Sequence, residues 1–214
     1  MSNKCRICDI VAGKYLFNEV DKPILENEEF FAIASIGAFI EGWTLVLPKR
    51  HCYSMRNFWN QGSFEDLLYP IIDRVQSEYG EVIVFEHGAN SCDSKTSCGT
   101  HHAHIHVVPY HSLKSTLLQG ELLWEKLKLA DVAEIPENQE YLFYAEMTKY
   151  NNPKIEYGLV HRLKSPISQF FRTILAQNEN KLDTADYKKF HYQEISEATH
   201  RRLQIACAPN QYHL

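Results

Sequence analysis

The sequence predicts an α+β protein in which helices cover an antiparallel sheet. In one stretch, apolar residues recur at every third or fourth position, which is typical of a helix with one buried face. Short apolar runs bounded by Gly and Pro precede and follow it, and these predict strands. The resulting order of β, β, α, β, loop, β favours an α+β unit. The predicted strands span 30–33, 43–47, 82–85 and 102–108, and the predicted helix spans 60–79.

A second group of predicted elements follows residue 115. Its order of strand, strand, helix repeats that of 30–79, so a degenerate internal repeat is one interpretation. We therefore predict a domain over 1–115 and an α+β carboxyl-terminal extension over 116–214. The predictions here are helical spacing over 113–129, a polar connection over 131–140, strands at 141–147 and 155–160 on either side of an Asn151 to Pro153 turn, and helices at 166–176 and 192–203.

Composition narrows the class of protein. The 214 residues are 44% hydrophobic and 23% charged, which is typical of a globular chain. A formal charge of −5 argues against general electrostatic binding of nucleic acid, although a local basic cleft stays compatible with it. No apolar run reaches the length of a membrane span, and the first residues lack the apolar stretch of a secretory signal. We expect a cytoplasmic protein without membrane contact, and a homodimer is left open.

The six cysteines are too few for a disulfide framework. Cys5 and Cys8 form a C-x-x-C pair, which indicates either a metal site or a redox site. A thioredoxin-like pair is disfavoured because no strand-to-helix context surrounds it. Cys92, Cys98 and Cys207 have no matching partner and are interpreted as ordinary thiols.

Histidines alternate with apolar residues between His101 and Pro109. On a strand, His102, His104 and His106 would share one face, and the intervening residues would face the core. A surface strand that is merely rich in histidine is the alternative, but strict alternation with apolar partners is hard to produce by chance. The pattern therefore predicts a functional strand.

This H-x-H-x-H block resembles the signature of the histidine triad (HIT) superfamily of nucleotide hydrolases and nucleotidyltransferases. The segment 42–51, GWTLVLPKRH, is similar to a second motif of that family, and the resemblance covers about residues 4 to 110. It implies a HIT-like sheet and a nucleotide-like small-molecule substrate. It also implies that His104 is the nucleophile, forming a covalent nucleotidyl-histidine intermediate, and that His106 hydrogen-bonds a phosphate oxygen.

The same resemblance implies a structural zinc ion. Cys5, Cys8, His51 and His102 would supply two thiolates and two imidazoles, a ligand set that tetrahedral zinc prefers. A C-x-x-C pair without metal is the alternative. His101 could compete with His102, but its side chain is expected on the opposite face of the strand.

Substrate contacts are predicted in the loop before the histidines. The candidates are Ser97, Gly99 and Thr100, through main-chain N–H groups, and Asn90. This loop replaces a glycine and glutamine motif of the family, and Ser35 stands where many members have an acidic residue that binds ribose. His87 is interpreted as structural.

Two functions follow from these residues. The first is a HIT-like hydrolase or nucleotidyltransferase, which the intact triad favours. The second is a non-catalytic module of the same fold that binds nucleotides or RNA.

Overall fold

The computed structural model of the chain describes residues 5–96, 100–147 and 154–205. Within them, eight strands form one antiparallel sheet with the order β1-β2-β3-β5-β4-β7-β8-β6. The predicted α+β class is confirmed. The strands are β1 (Leu25–Glu26), β2 (Phe30–Ala34), β3 (Thr44–Pro48), β4 (Val82–Gly88), β5 (Ile105–Pro109), β6 (Glu125–Lys128), β7 (Tyr141–Met147) and β8 (Tyr157–Arg162).

Helices pack on both faces of the sheet. They are α1 (Arg6–Val11), α2 (Gly62–Tyr79), α3 (Lys114–Gln119), α4 (Leu129–Val132), α5 (Phe170–Asn178) and α6 (Gln193–Ile205), with 3-10 helices at Asn18–Asp21 and Leu182–Thr184. Residues of α2, α4 and α6 belong to one buried apolar cluster, and residues of α1, α3 and α5 belong to a second. The alternation of side chains along each strand sends successive residues into these two clusters. Among the described helices, none combines the length and the apolar composition needed to cross a bilayer.

The carboxyl-terminal strands continue the sheet of the amino-terminal half. β7 pairs with β4 over seven residue pairs, from Val82 opposite Met147 to Gly88 opposite Tyr141. The pairing covers the edge that β4 would otherwise expose. β8 and β6 then extend the sheet beyond β7.

Two sequence predictions need correction. The strand predicted over 102–108 begins only at Ile105, so His102 and His104 lie in the segment that leads into β5. The pairing of β5 with β3 extends only to Ile105, which lies opposite Val46. β3 ends two residues later at Pro48, which has no main-chain N–H with which to extend the pairing. The predicted alternation of histidines with core residues nevertheless persists, because Ala103 and Ile105 are both buried in the apolar cluster under α2.

The continuous helix suggested by the spacing over 113–129 is also wrong. Helix α3 ends at Gln119, and β6 begins five residues after Gly120, at Glu125; in it, Leu127 pairs with Gly158 of β8. Leu118 and Leu123 are exposed, so the leucines do not share one buried face. Pairing with the free edge of β8 outweighs the local helical pattern. The first residues of the predicted 131–140 connection belong to α4.

The other elements fall close to their predictions. α2 contains Pro70 without a break, and β7 has the predicted bounds. β8, α5 and α6 begin between one and four residues later than predicted. The Asn151 to Pro153 turn lies outside the described residues.

Candidate active site and metal centre

A cleft opens on the face of the sheet that carries α1 and α5. The space inside it, including the open solvent at its mouth, is about 580 Å³. The wall combines apolar and aromatic side chains with three histidines and two arginines. Its lining residues are Arg6, Ile7, Ser35, Ile36, Trp43, Leu45, Phe85, His87, Thr100, His104, His106, Gln169, Arg172 and Tyr187.

His104 is held in one tautomer by the main chain. Its Nδ1 lies 2.8 Å from the carbonyl oxygen of His102. Because a carbonyl oxygen only accepts, Nδ1 carries the proton and donates it to this hydrogen bond. The lone pair of the neutral ring is therefore on Nε2.

His106 is held in the opposite tautomer. Trp43 Nε1 donates a hydrogen bond to His106 Nδ1 at 2.9 Å, and the imidazole stacks on Phe85 with 4.4 Å between ring centres. An indole N–H only donates, so Nδ1 accepts and the proton of the neutral ring is on Nε2. The centres of the His104 and His106 rings are 4.6 Å apart. The two neighbouring imidazoles thus offer one lone pair and one N–H.

Burial keeps both imidazoles neutral. It lowers the pKa of His104, and the hydrogen bond to the carbonyl oxygen only partly offsets this. Burial also lowers the pKa of His106 well below its usual range, with smaller contributions from the charges of His104, His87 and Arg172. Both imidazoles are therefore neutral at neutral pH, with one protonated nitrogen and one lone pair each, as a nitrogen nucleophile requires.

His87 is a third histidine in the cleft wall. Burial and then the charge of His104 lower its pKa to about 3. Its Nε2 is enclosed and has no hydrogen-bond partner within the described part of the chain. The ring meets that of His106 edge-on, with 6.0 Å between centres. A residue interpreted from the sequence as structural thus lies beside the two predicted catalytic histidines.

Cys5, Cys8, His51 and His102 come together next to the cleft. Their ligand atoms all lie within 4.8 Å of one another, so the four residues could bind a metal ion. His102 Nδ1 is 3.4 Å from Cys5 Sγ and 3.7 Å from Cys8 Sγ, and His51 Nδ1 is 3.3 Å from Cys8 Sγ. Tetrahedral coordination at usual zinc bond lengths separates neighbouring ligand atoms by about 3.3 to 3.8 Å. Three of the six separations thus fall in this range, and the four residues could hold one metal ion.

The protonation of the ligands also suits a cation. His102 Nε2 donates to the carbonyl oxygen of Pro48 at 2.8 Å, which leaves the lone pair on Nδ1, the nitrogen that faces the thiols. Burial, together with the neighbouring Cys5, raises the pKa of Cys8 to about 11. A divalent cation reverses this preference because it stabilises thiolates. Since the carbonyl of His102 accepts from His104, which lines the cleft, this hydrogen bond links the candidate metal site to the cleft.

The predicted substrate contacts have different positions. Thr100 lines the cleft, and so does Ser35. Asn90 lies in a separate surface groove, where it donates to the carbonyl oxygen of Asn138 at 3.0 Å. Ser97 and Gly99 lie outside the described residues.

The sequence did not point to three residues that the carboxyl-terminal half brings to the cleft. Gln169 and Arg172, at the start of α5, and Tyr187, beyond it, form part of the wall beside the histidines. Nothing in their local sequence marks them. Their place depends on the packing of α5 against the sheet, which is a long-range contact.

Comparison with known proteins found no match, either among protein-family models or among curated proteins. The case for a function therefore rests on the contacts and chemistry of the cleft.

Proposed function

We propose that this chain is an enzyme of the HIT superfamily, a nucleotide hydrolase or nucleotidyltransferase. The observation that carries the proposal is the pair of opposite tautomers of His104 and His106 in one cleft. A nucleophile needs an unprotonated nitrogen, and a developing phosphate charge needs a hydrogen-bond donor. The two histidines meet these two needs side by side.

In the proposed first step, His104 Nε2 attacks the phosphorus atom of a nucleotide-like substrate. A nitrogen–phosphorus bond forms, and the bond between phosphorus and the leaving group breaks, with the electron pair departing on the leaving group. The imidazole then carries a positive charge, which the hydrogen bond from Nδ1 to the His102 carbonyl stabilises. Water or a hydroxyl group of a second substrate then attacks the phosphorus: a phosphorus–oxygen bond forms, the nitrogen–phosphorus bond breaks with its electron pair returning to Nε2, and the attacking oxygen loses its proton to solvent.

His106 stabilises the charge on the phosphate oxygens during these steps. Its Nε2–H is the donor, since Trp43 fixes Nδ1 as an acceptor. A preorganised donor of this kind contributes more in a buried cleft than in water, because the effective dielectric constant is lower.

The proposed metal is zinc with a structural role. Two thiolates and two imidazoles fill a tetrahedral coordination shell and leave no open position for substrate. The ion would join residues 5–8 to the segments around His51 and His102. The His102 carbonyl that accepts from His104 would be held in place by this site. A cytoplasmic location is part of the proposal.

The test is incubation of the chain with a panel of nucleotides, followed by intact-mass measurement and turnover assays. We expect a nucleotidyl adduct on wild-type protein and none on His104→Ala, which should lose several orders of magnitude in rate. His106→Ala should be milder, with a loss of about 10² to 10³. In a non-catalytic binding module, both variants would weaken nucleotide affinity comparably and no adduct would form. A trapped nucleotidyl group on another residue would also contradict the mechanism.

A further inference from the structure

His200 lies buried on α6, the last helix that packs on the sheet. Only 2% of its surface is exposed. Both Nδ1 and Nε2 are enclosed, and neither has a hydrogen-bond partner within the described part of the chain. A neutral imidazole has one N–H to donate and one lone pair to accept, so both of these groups are left unsatisfied. Unsatisfied buried polar groups weaken the packing of the helix that carries them.

The surroundings of His200 provide no carboxylate that could bind its charged form. α6 packs on the 3-10 helix Asn18–Asp21, on β2 and on α2. All the side chains of β2 are apolar. The charged or titratable side chains near these contacts are Glu19, Lys22, Glu41, Tyr79, Arg201 and Arg202. Glu19 forms an ion pair with Lys22 at 2.7 Å, and Glu41 forms one with Arg202 at 3.6 Å.

Burial is the main reason why the pKa of His200 lies below its usual value of 6.5. The charge of Glu19 acts in the opposite direction, whereas the charges of Lys22 and Arg201 lower the pKa further. An imidazolium at this place would bury two N–H donors and a positive charge without a partner, which costs more than burying the neutral ring. The packed position of α6 therefore favours the neutral form of His200.

α6 also holds the connection between β2 and β3, which forms part of the cleft. Ser196 Oγ donates a hydrogen bond to the carbonyl oxygen of Ser35 at 2.8 Å. The main-chain N–H of Gly42 donates to Thr199 Oγ1 at 2.8 Å. Ser35 and Trp43, at the two ends of this connection, line the cleft. A change in the packing of α6 is thus transmitted to the cleft wall.

We propose that His200 is an acid-sensitive latch: protonation of its imidazole releases α6 from the sheet and loosens the connection between β2 and β3 at the cleft. In the released helix the imidazolium is solvated, so acid favours release. Because the folded chain holds the lower pKa, the packing of α6 keeps its full stability above pH 6.5 and loses it as the pH falls below that value. The latch requires no reaction in the cleft.

Hydrogen exchange of the full chain at pH 7.5 and pH 5.5 tests the latch, with each rate corrected for the pH dependence of exchange in free peptides. The population with α6 released should rise several-fold over this interval, and at most about tenfold. In wild type, α6 and residues 35–43 should lose protection by this factor, whereas α2 should not lose protection.

Substitutions of histidine identify the group that is protonated. His200→Leu keeps an apolar side chain of similar reach and cannot take up a proton, so α6 should be equally protected at both pH values. His200→Gln, which is also neutral, serves the same purpose should the leucine variant not fold. His111 provides the control, since it is exposed and stacks on Tyr110 away from α6. His111→Gln should lose protection in α6 as wild type does.

Three results would overturn the latch. The first is equal protection of α6 in wild type at the two pH values. The second is a loss of protection in His200→Leu or His200→Gln as large as that in wild type, or its absence in His111→Gln. The third is a loss confined to α6, without residues 35–43, which would contradict the transmission to the cleft. Since none of these readouts uses a nucleotide, failure of the latch is distinct from failure of the catalytic proposal.

Discussion

Replacing Glu86 with glutamine should remove most of the stability that wild type loses between pH 5 and pH 8. Glu86, on β4, is 1% exposed and lies on the face of the sheet opposite the cleft. It accepts from the main-chain N–H of Met55 at 2.6 Å and from the Tyr141 hydroxyl at 2.7 Å. Burial raises its pKa from 4.5 to about 7, although these two donors and Arg56 act in the opposite direction.

The sign and size of the effect follow from linkage. Between pH 4.5 and 7 the folded chain keeps the proton on Glu86 and the unfolded chain has lost it. The stabilisation is therefore complete below pH 4.5 and is lost as the pH rises through 7. At about 1.4 kcal/mol per pH unit, the difference between the two pKa values corresponds to about 3 kcal/mol.

Urea denaturation of wild type and Glu86→Gln at pH 5 and pH 8 measures this quantity. Wild type should lose about 2 to 3 kcal/mol more than the variant over this interval, or about 5 to 10 °C in melting temperature. Glutamine can still accept from Met55 and can donate to Tyr141, so the variant should fold. Tyr141→Phe removes a donor that lowers the pKa of Glu86 and should steepen the dependence. Parallel pH profiles for wild type and Glu86→Gln would refute the reasoning.

Two further changes test the metal centre and the packing of the sheet. Purified wild type should hold about one zinc per chain by elemental analysis, and Cys5→Ser should lose it together with thermal stability, whereas Cys92→Ser should lose neither. Gly88→Ala places a Cβ atom 2.2 Å from a ring carbon of buried Tyr141 and should cost about 1 to 3 kcal/mol, measured by denaturation. Gly62→Ala meets no atom within 4 Å and serves as its control, so equal effects of the two would contradict this packing argument.

Elements with a strong local signal could be predicted from the sequence. The spacing of Phe64, Leu67, Leu68, Ile71 and Ile72 specified α2, since one face of a helix repeats every three to four residues. The leucines after Leu113 carry a similar spacing, yet part of that stretch is strand β6. Its pairing partner, β8, lies more than 25 residues further along the chain, so no local window contains the deciding contact.

The sequence by itself determined the chemistry that this protein has available. The alternation of His102, His104 and His106 with apolar residues, and the C-x-x-C pair, singled out two histidines of the cleft and three residues of the candidate metal site. Residue types and their spacing are local properties, so they can be read from the chain directly. They also set the α+β class through their two periodicities.

Only the tertiary structure decided how that chemistry is arranged. The tautomers depend on the His102 carbonyl and on Trp43, and Trp43 lies directly before β3, 63 residues from His106 in the sequence. Arg172 reaches the cleft only because α5 packs on the sheet, where Phe171 contacts Phe85 of β4, more than 80 residues away in the sequence. Hydrogen-bond direction, burial and charge proximity arise from contacts between distant segments. They exist only once the chain has folded.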